Sequence, residues 1–340
     1  MLTIKLKSTV LLLLTLLVPV SGSPMVSDQK VTMKIIRAAH NPIITPGMHD
    51  RIGNNINGPS LIKVPDWVPD PLGRYYLYFS HHKGDHIRLA YADSLDGEWK
   101  IHGEGALSLA DSLFPTQPPA LESFPKAQRE RIKNFLYAHV ASPEAMIVPE
   151  KKEIRLYYHG MLETGAQATR VAVSKDGLNF EAQPEVITRP YLRMFRWDNR
   201  FYGMAMPGVF YRSQDGLTNF EEGPQLFNKD MRHSALLVRD HILYVFWTQV
   251  GDAPERLLLS RIDLSGDWSE WQESEAREVL RPEEPWEGSE EPVESSVRGA
   301  IETRVNQLRD PALYEEDGNL WLLYSVAGEY GIAIGTLKMD

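Results

Sequence analysis

The chain has 340 residues, 43% of them hydrophobic and 24% charged, an ordinary globular composition with ample material for a core. Its 46 acidic and 36 basic side chains leave a formal charge of −10, and no basic stripe stands ready to displace counterions, which argues against nucleic acid or an anionic membrane as partner. There is no cysteine, so neither a disulfide nor a lipoprotein thiol is available.

In chain order, residues 1–23 read as a secretory signal peptide: Lys5 and Lys7, an apolar run from Val10 to Val20, then Ser21, Gly22 and Ser23. The run is short for a membrane span, and an uncleaved anchor is the alternative. From residue 31 to residue 340 we read a single domain built on one repeated unit. An apolar segment is followed by a polar turn and an aromatic-rich strand: YYLYFSHH, IRLYYHGM, RFYGMAMP, ILYVFWTQV and LWLLYSVAG. A third strand follows each of these, and a fourth follows in four of the five units. Period-two alternation with β-branched and aromatic residues marks strands. Inner strands are expected to start near Pro59, Pro143, Tyr191, His233 and Pro311. The segment 31–44 has no other role and is assigned as the outer strand that the last unit lacks. The expected fold is all-β, a five-bladed propeller of four-stranded antiparallel blades with its ring closed by an N-terminal strand. An insertion before the second blade holds a short helix around 125–135. The acidic run 283–294 reads as a solvated loop, with a lid or cation collector as alternatives.

In such a fold, inner-strand starts and second-strand ends converge on one mouth of the central channel. The starts contribute Asn57, Ser60, Ser142, Glu144, Tyr191, Arg193, Arg232, His233, Arg309 and Asp310. The second-strand ends contribute His81, His82, His159, Met206, Trp247, Gln249, Ser325 and Glu329. Each has a structural alternative. Asp310 before Pro311 suits a turn with Arg309 as ion-pair partner, and His233 suits a satisfied core histidine. His81 and His82 cannot both point inward on one strand. HHKGDH has metal-like spacing, but Lys83-Gly84 marks a hairpin turn, and the Asp-Gly pairs in SKDGLNF and SQDGLTNF are likewise turn chemistry. PWEGSEEP offers paired acids in a tract expected to be too flexible to hold a reacting geometry.

The repeat pattern, the HNPIITPGMHD lead-in, RDPA, RHSALLV and the closing LLYSVAGEYGIAIG resemble the five-bladed propeller glycosidases of family 43, including arabinanases and xylosidases, over nearly the whole mature chain. The resemblance implies a first-blade Asp as general base, a second-blade Asp that tunes the acid, and a third-blade Glu as proton donor. Inversion then needs base and acid about 6.5–9.5 Å apart. This sequence departs from that pattern. Asn57-Gly58 stands at the base position, with Asp50 displaced upstream; Glu144 stands for the tuning Asp; Tyr191 and Arg193 replace the Glu. His233 is similar to the family's channel histidine, which implies a structural divalent ion or water there and no organic cofactor. Two arrangements remain. Glu144 and Asp310 act as acid and base, with Arg232 or Arg309 separating their pKa values. Alternatively His82, His159 or His233 transfers protons while Arg193, Arg232 and Arg309 hold a carboxylate or sulfate. Tyr191 and Trp247 are candidates for stacking on sugar rings, and Asn57, His81 and His82 for further substrate contacts. The expectation is a secreted or periplasmic glycoside hydrolase acting on a plant or algal polysaccharide or oligosaccharide, with neither a nucleic-acid partner nor stable membrane insertion. A non-catalytic glycan-binding propeller and a polysaccharide lyase are the alternatives.

Overall fold

The computed structural model describes residues 33–339; the expected signal peptide lies outside them. Chain order starts with β1 (Met33–Arg37). Blade 1 follows as β2 (Asn57–Lys63), β3 (Tyr75–Ser80), β4 (His86–Ala92) and β5 (Lys100–Ser108). Blade 2 comprises β6 (Val140–Val148), β7 (Glu153–Met161), β8 (Gln167–Ser174) and β9 (Glu181–Ala182). Blade 3 comprises β10 (Arg193–Trp197), β11 (Arg200–Ala205), β12 (Val209–Ser213) and β13 (Glu221–Gln225). Blade 4 comprises β14 (Met231–Arg239), β15 (Ile242–Gln249), β16 (Leu257–Asp263) and β17 (Arg277–Leu280), and β18 (Arg309–Glu316), β19 (Asn319–Ser325) and β20 (Ile332–Met339) begin blade 5. That last sheet runs β1-β20-β19-β18, so β1 supplies its outer strand, paired from Met33 with Met339 to Arg37 with Gly335. The expected closure is what the molecule does.

Strands of the inner layers are buried on both faces, because each blade is covered by its two neighbours: all six residues of β3, YYLYFS, are buried. Between blades 1 and 2, Tyr76, Tyr78, Ile87 and Leu89 pack on Ile154, Leu156 and Ala172. A polar lock is repeated across two interfaces. Tyr78 in blade 1 donates its hydroxyl to the Gly177 carbonyl of blade 2 at 2.8 Å, and Tyr157 in blade 2 donates to Gly216 of blade 3 at 2.9 Å. Both acceptors sit in the Asp-Gly turns, whose Asp176 and Asp215 accept from amides two and three residues on. The insertion before blade 2 carries α1 (Lys126–Ile132) and a 3₁₀ turn over Lys133–Phe135.

The acidic run leaves Glu283, Glu284, Glu290 and Glu294 exposed, as a solvated loop would, and departs from expectation at Glu287. Glu287, in a 3₁₀ turn over Pro285–Glu287, is fully buried and accepts from Arg37 Nε at 2.8 Å and from the Tyr324 hydroxyl at 2.8 Å. The tract is therefore ordered around a carboxylate that fastens the closing strand β1 to blade 5. Burial with two charge-assisted donors is what holds it, where composition alone suggested a flexible loop.

Candidate active site at the mouth of the channel

Inner strands β2, β6, β10, β14 and β18 contact one another in a ring around the axis. At or just before the start of each lies one residue in the left-handed region: Gly58 (φ 61°), Ser142 (47°), Tyr191 (61°), His233 (43°) and Asp310 (46°). In four blades this residue falls in a register irregularity of the inner pair. A left-handed residue at a bulge turns its side chain out of the pleat. Only one of the five is glycine, so four blades carry backbone strain at the same place, as functional sites commonly do.

Those residues and their neighbours build a continuous wall. His82 Nδ1 lies 3.4 Å from Glu329. Ring centroids then follow from His82 to Tyr137 (6.5 Å), Tyr137 to His139 (4.8 Å), His139 to His159 (5.4 Å), His159 to Tyr191 (4.3 Å) and Tyr191 to His233 (5.3 Å). His233 Nδ1 stands 3.4 Å from Asp310, whose other oxygen accepts from the Ser325 hydroxyl at 3.2 Å. Asp310 and Glu329 sense one another electrostatically, which closes the circuit. His82, Tyr137 and Tyr191 are partly exposed, while His139, His159, His233, Asp310 and Glu329 are buried.

The wall is electrically graded. Burial first, and then Glu329, push Asp310 up to about 6. Burial also acts to raise Glu329, but His82, Arg309 and Asn55 outweigh it and hold that carboxyl well below the usual range. His139 is lowered to about 4 by burial, and His159 and His233 are driven well below an ordinary imidazole by burial and by cationic neighbours. These three rings are neutral, and three of their buried nitrogens, His139 Nε2, His159 Nδ1 and His233 Nδ1, make no hydrogen bond. Tyr137 is pushed up to about 12 by burial, so its hydroxyl keeps its proton.

Behind the wall lies an ion-pair lattice that corrects one expectation. Arg232 Nε donates to Glu255 at 2.9 Å, and Arg309 donates to Glu255 at 3.2 Å and to Glu329 at 2.9 Å. Arg193 donates to Glu144 at 2.8 Å and to the Pro143 and Ser234 carbonyls. All three guanidinium groups are buried and bound to internal carboxylates, so they are not free to clamp a carboxylate or sulfate on a sugar. Glu144 is likewise taken up: it accepts from Arg193 and lies 3.5 Å from the Ser60 hydroxyl, with burial raising its pKa against the pull of Arg193. No contact joins it to Asp310.

The remaining candidates sort as follows. His82, His159, Tyr191, His233 and Asp310 come together in the wall. Asn57 lies beneath it, donating to Asn55 at 2.9 Å and to Glu329 at 3.3 Å. His81 and His82 lie in the turn after β3, beyond the strand on which they were expected, and their rings part: His81 Nδ1 accepts from the Lys83 amide at 2.9 Å while His82 faces Glu329. Trp247 is a correction. It is buried in the core between blades 3 and 4, 5.3 Å from Phe227, and its Nε1 donates to Ser260, because its strand position faces the neighbouring blade and not the axis. Tyr137, His139, Asn55 and Glu255 were not singled out from the sequence. Tyr137 and His139 precede β6 with period-two spacing, a signal obscured by the insertion they end. Among the described residues no group of three or more His, Asp or Glu is placed to hold a metal ion.

No known family profile matches the sequence. Solved structures of similar shape include CoXyl43, a family 43 β-xylosidase/α-arabinofuranosidase from a compost microbial metagenome in complex with xylotriose (14% identical, TM-score 0.52, covering 87% of this chain and 94% of that one). The GH43_1 enzyme from Xanthomonas citri complexed with xylotriose is also similar (12% identical, TM-score 0.53, covering 87% and 89%). The fold is that of the five-bladed propeller glycosidases of family 43. At the level of sequence, the chain is 34% identical over 305 residues to the uncharacterized protein R118 of Acanthamoeba polyphaga mimivirus, covering 82% of each, and it belongs to the same family as that protein.

Proposed function

We propose that the protein is a glycoside hydrolase, exported from the cell that makes it, which cleaves a plant or algal polysaccharide or oligosaccharide at the mouth of its channel. The observation that carries this reading is Asp310: a buried carboxyl, pushed up to about 6 and set in a wall of neutral imidazole and phenol groups on a glycosidase fold. Below that pH it holds a proton for the departing glycosidic oxygen. His82 is the matching acceptor. Glu329 orients it through Nδ1, and Arg309 and Asn55 fix Glu329 in turn, which leaves Nε2 to take a proton from water as the water adds to the anomeric carbon. The glycosidic C–O bond breaks as the new one forms, Asp310 loses its proton, His82 gains one, and exchange with solvent restores both.

A second reading rests on Tyr191, stacked between the neutral rings of His159 and His233, a cluster suited to proton abstraction and elimination from a uronate. Incubation with a panel of neutral and acidic glycans separates the two. New reducing ends without ultraviolet absorbance mark hydrolysis, and absorbance of an unsaturated uronate marks elimination. Binding without either product would leave a glycan-binding propeller and overturn both.

A further inference from the structure

Five arginines are buried among the described residues: Arg88, Arg155, Arg193, Arg232 and Arg309. Four have a carboxylate. Arg155 pairs with Glu153 at 3.0 Å, Arg193 with Glu144, Arg232 with Glu255, and Arg309 with Glu255 and Glu329. Arg88, 5% exposed, has none within ion-pair distance. Its Nη1 donates to the carbonyls of Asn55 at 2.8 Å and Ser80 at 3.3 Å, its buried Nε has no partner, and the nearest acid that acts on it, Asp85, is bound to His86 at 2.6 Å. A buried cation without a carboxylate is costly; Arg88 has only the two carbonyls and the Phe79 ring, 6.0 Å from its Cζ, whereas the other four buried arginines among the described residues are each matched by a carboxylate. The guanidinium is also within reach of the surface. A methyl group built on the exposed Gly53 would lie 3.8 Å from Arg88 Nη2 and 3.8 Å from His81 Cδ2.

We propose that Arg88 is the floor of an oxyanion subsite on the rim of the mouth, opening between Gly53 and His81, that receives the carboxylate or sulfate of an acidic sugar. Asn55 links the two places: Arg88 holds its carbonyl, while its side chain donates to Glu329 in the wall. The charged ring then sits beside the ring being cleaved, whose own surroundings hold no unpaired guanidinium. This rests on the reading of the protein as carbohydrate-active, but binding at Arg88 does not require turnover.

Two probes test it, glucuronate and inorganic sulfate, each titrated into the full chain and followed by the Nε–Hε resonance of Arg88, assigned by its loss in Arg88→Lys. The expected result is a saturable shift with both anions, none with glucose, and, by titration calorimetry on both proteins, affinity for glucuronate about tenfold or more weaker in Arg88→Lys, which keeps the charge but loses the fork. Asp310→Asn should leave this binding unchanged. A shift with sulfate alone would make it a site for free anions and overturn the sugar assignment. An Arg88 resonance indifferent to both anions would overturn the subsite while leaving hydrolysis of neutral glycans untouched. If Arg88→Lys fails to fold, Gly53→Asn, whose side chain narrows the opening and tolerates the left-handed φ of 58° there, should weaken glucuronate binding in the same way; unchanged affinity there would also overturn the proposal.

Discussion

Asp310 is where the chemistry is most exposed to test. Asp310→Asn keeps the shape and removes the proton, so reducing-end release should fall about 100-fold or more while the circular dichroism spectrum is retained. Activity of the native protein should decline as pH rises through about 6, where Asp310 ionises. Stability carries the same signature. A carboxyl raised in the folded state contributes stability that is complete below its unfolded value and is lost as pH rises through its folded one. The native state thus keeps a proton that the unfolded chain releases between about pH 4 and 6, and across that window urea stability should drop by an amount on the order of 2–3 kcal/mol. In Asp310→Asn the drop should vanish. Glu255 tests the lattice behind the wall. Glu255→Gln leaves Arg232 without a carboxylate and weakens the hold on Arg309, at a cost of about 3–5 kcal/mol in denaturant unfolding. Trp247→Phe, by contrast, should lower stability and leave glycan affinity unchanged, since that ring is core.

At the level of the strand, the five left-handed starts make paired predictions. Ser142→Gly relieves a strained backbone and should be neutral or stabilise by up to about 1 kcal/mol. Gly58→Ala does the reverse, because its φ is 61° and a Cβ there would lie 3.1 Å from Ser80 Oγ and 3.2 Å from Ser142 Cα. A thermal unfolding comparison of the two variants checks both signs. These strand starts were only half legible in the sequence. Gly58-Pro59, Ser142-Pro143 and Asp310-Pro311 announce an interruption in the strand, and the aromatic alternation of YYLYFS or ILYVFWTQ places the blades. Trp247 lies inside such a run, and alternation cannot say whether a ring faces the axis or the next blade. Partners such as Arg232 and Glu255, on different strands, become neighbours only after the blade folds, so three arginines that read as substrate clamps are in fact matched internally. Glu287 escaped for a similar reason: a lone buried carboxylate within an acidic run has no local signature.

For the molecule as a whole, the last blade keeps its fourth strand, and the ring its closure, only while β1 stays on β20. Ile35→Pro, opposite Leu337, should break that pairing, lower the midpoint of thermal unfolding and expose an edge prone to association, which light scattering would detect. Arg37 adds a second fastening through Glu287, so Arg37→Met should weaken closure with every blade left intact. The closing blade also carries Asp310, in β18, and Glu329, in the loop between β19 and β20. Its sheet takes one strand from before blade 1 and three from after blade 4, and Glu329 of blade 5 meets His82 and Asn55 of blade 1, so the wall around Asp310 is complete only once the two ends of the propeller have met. On the function proposed above, a copy whose ring is still open would be inactive, and closing the ring would be the step that makes the site.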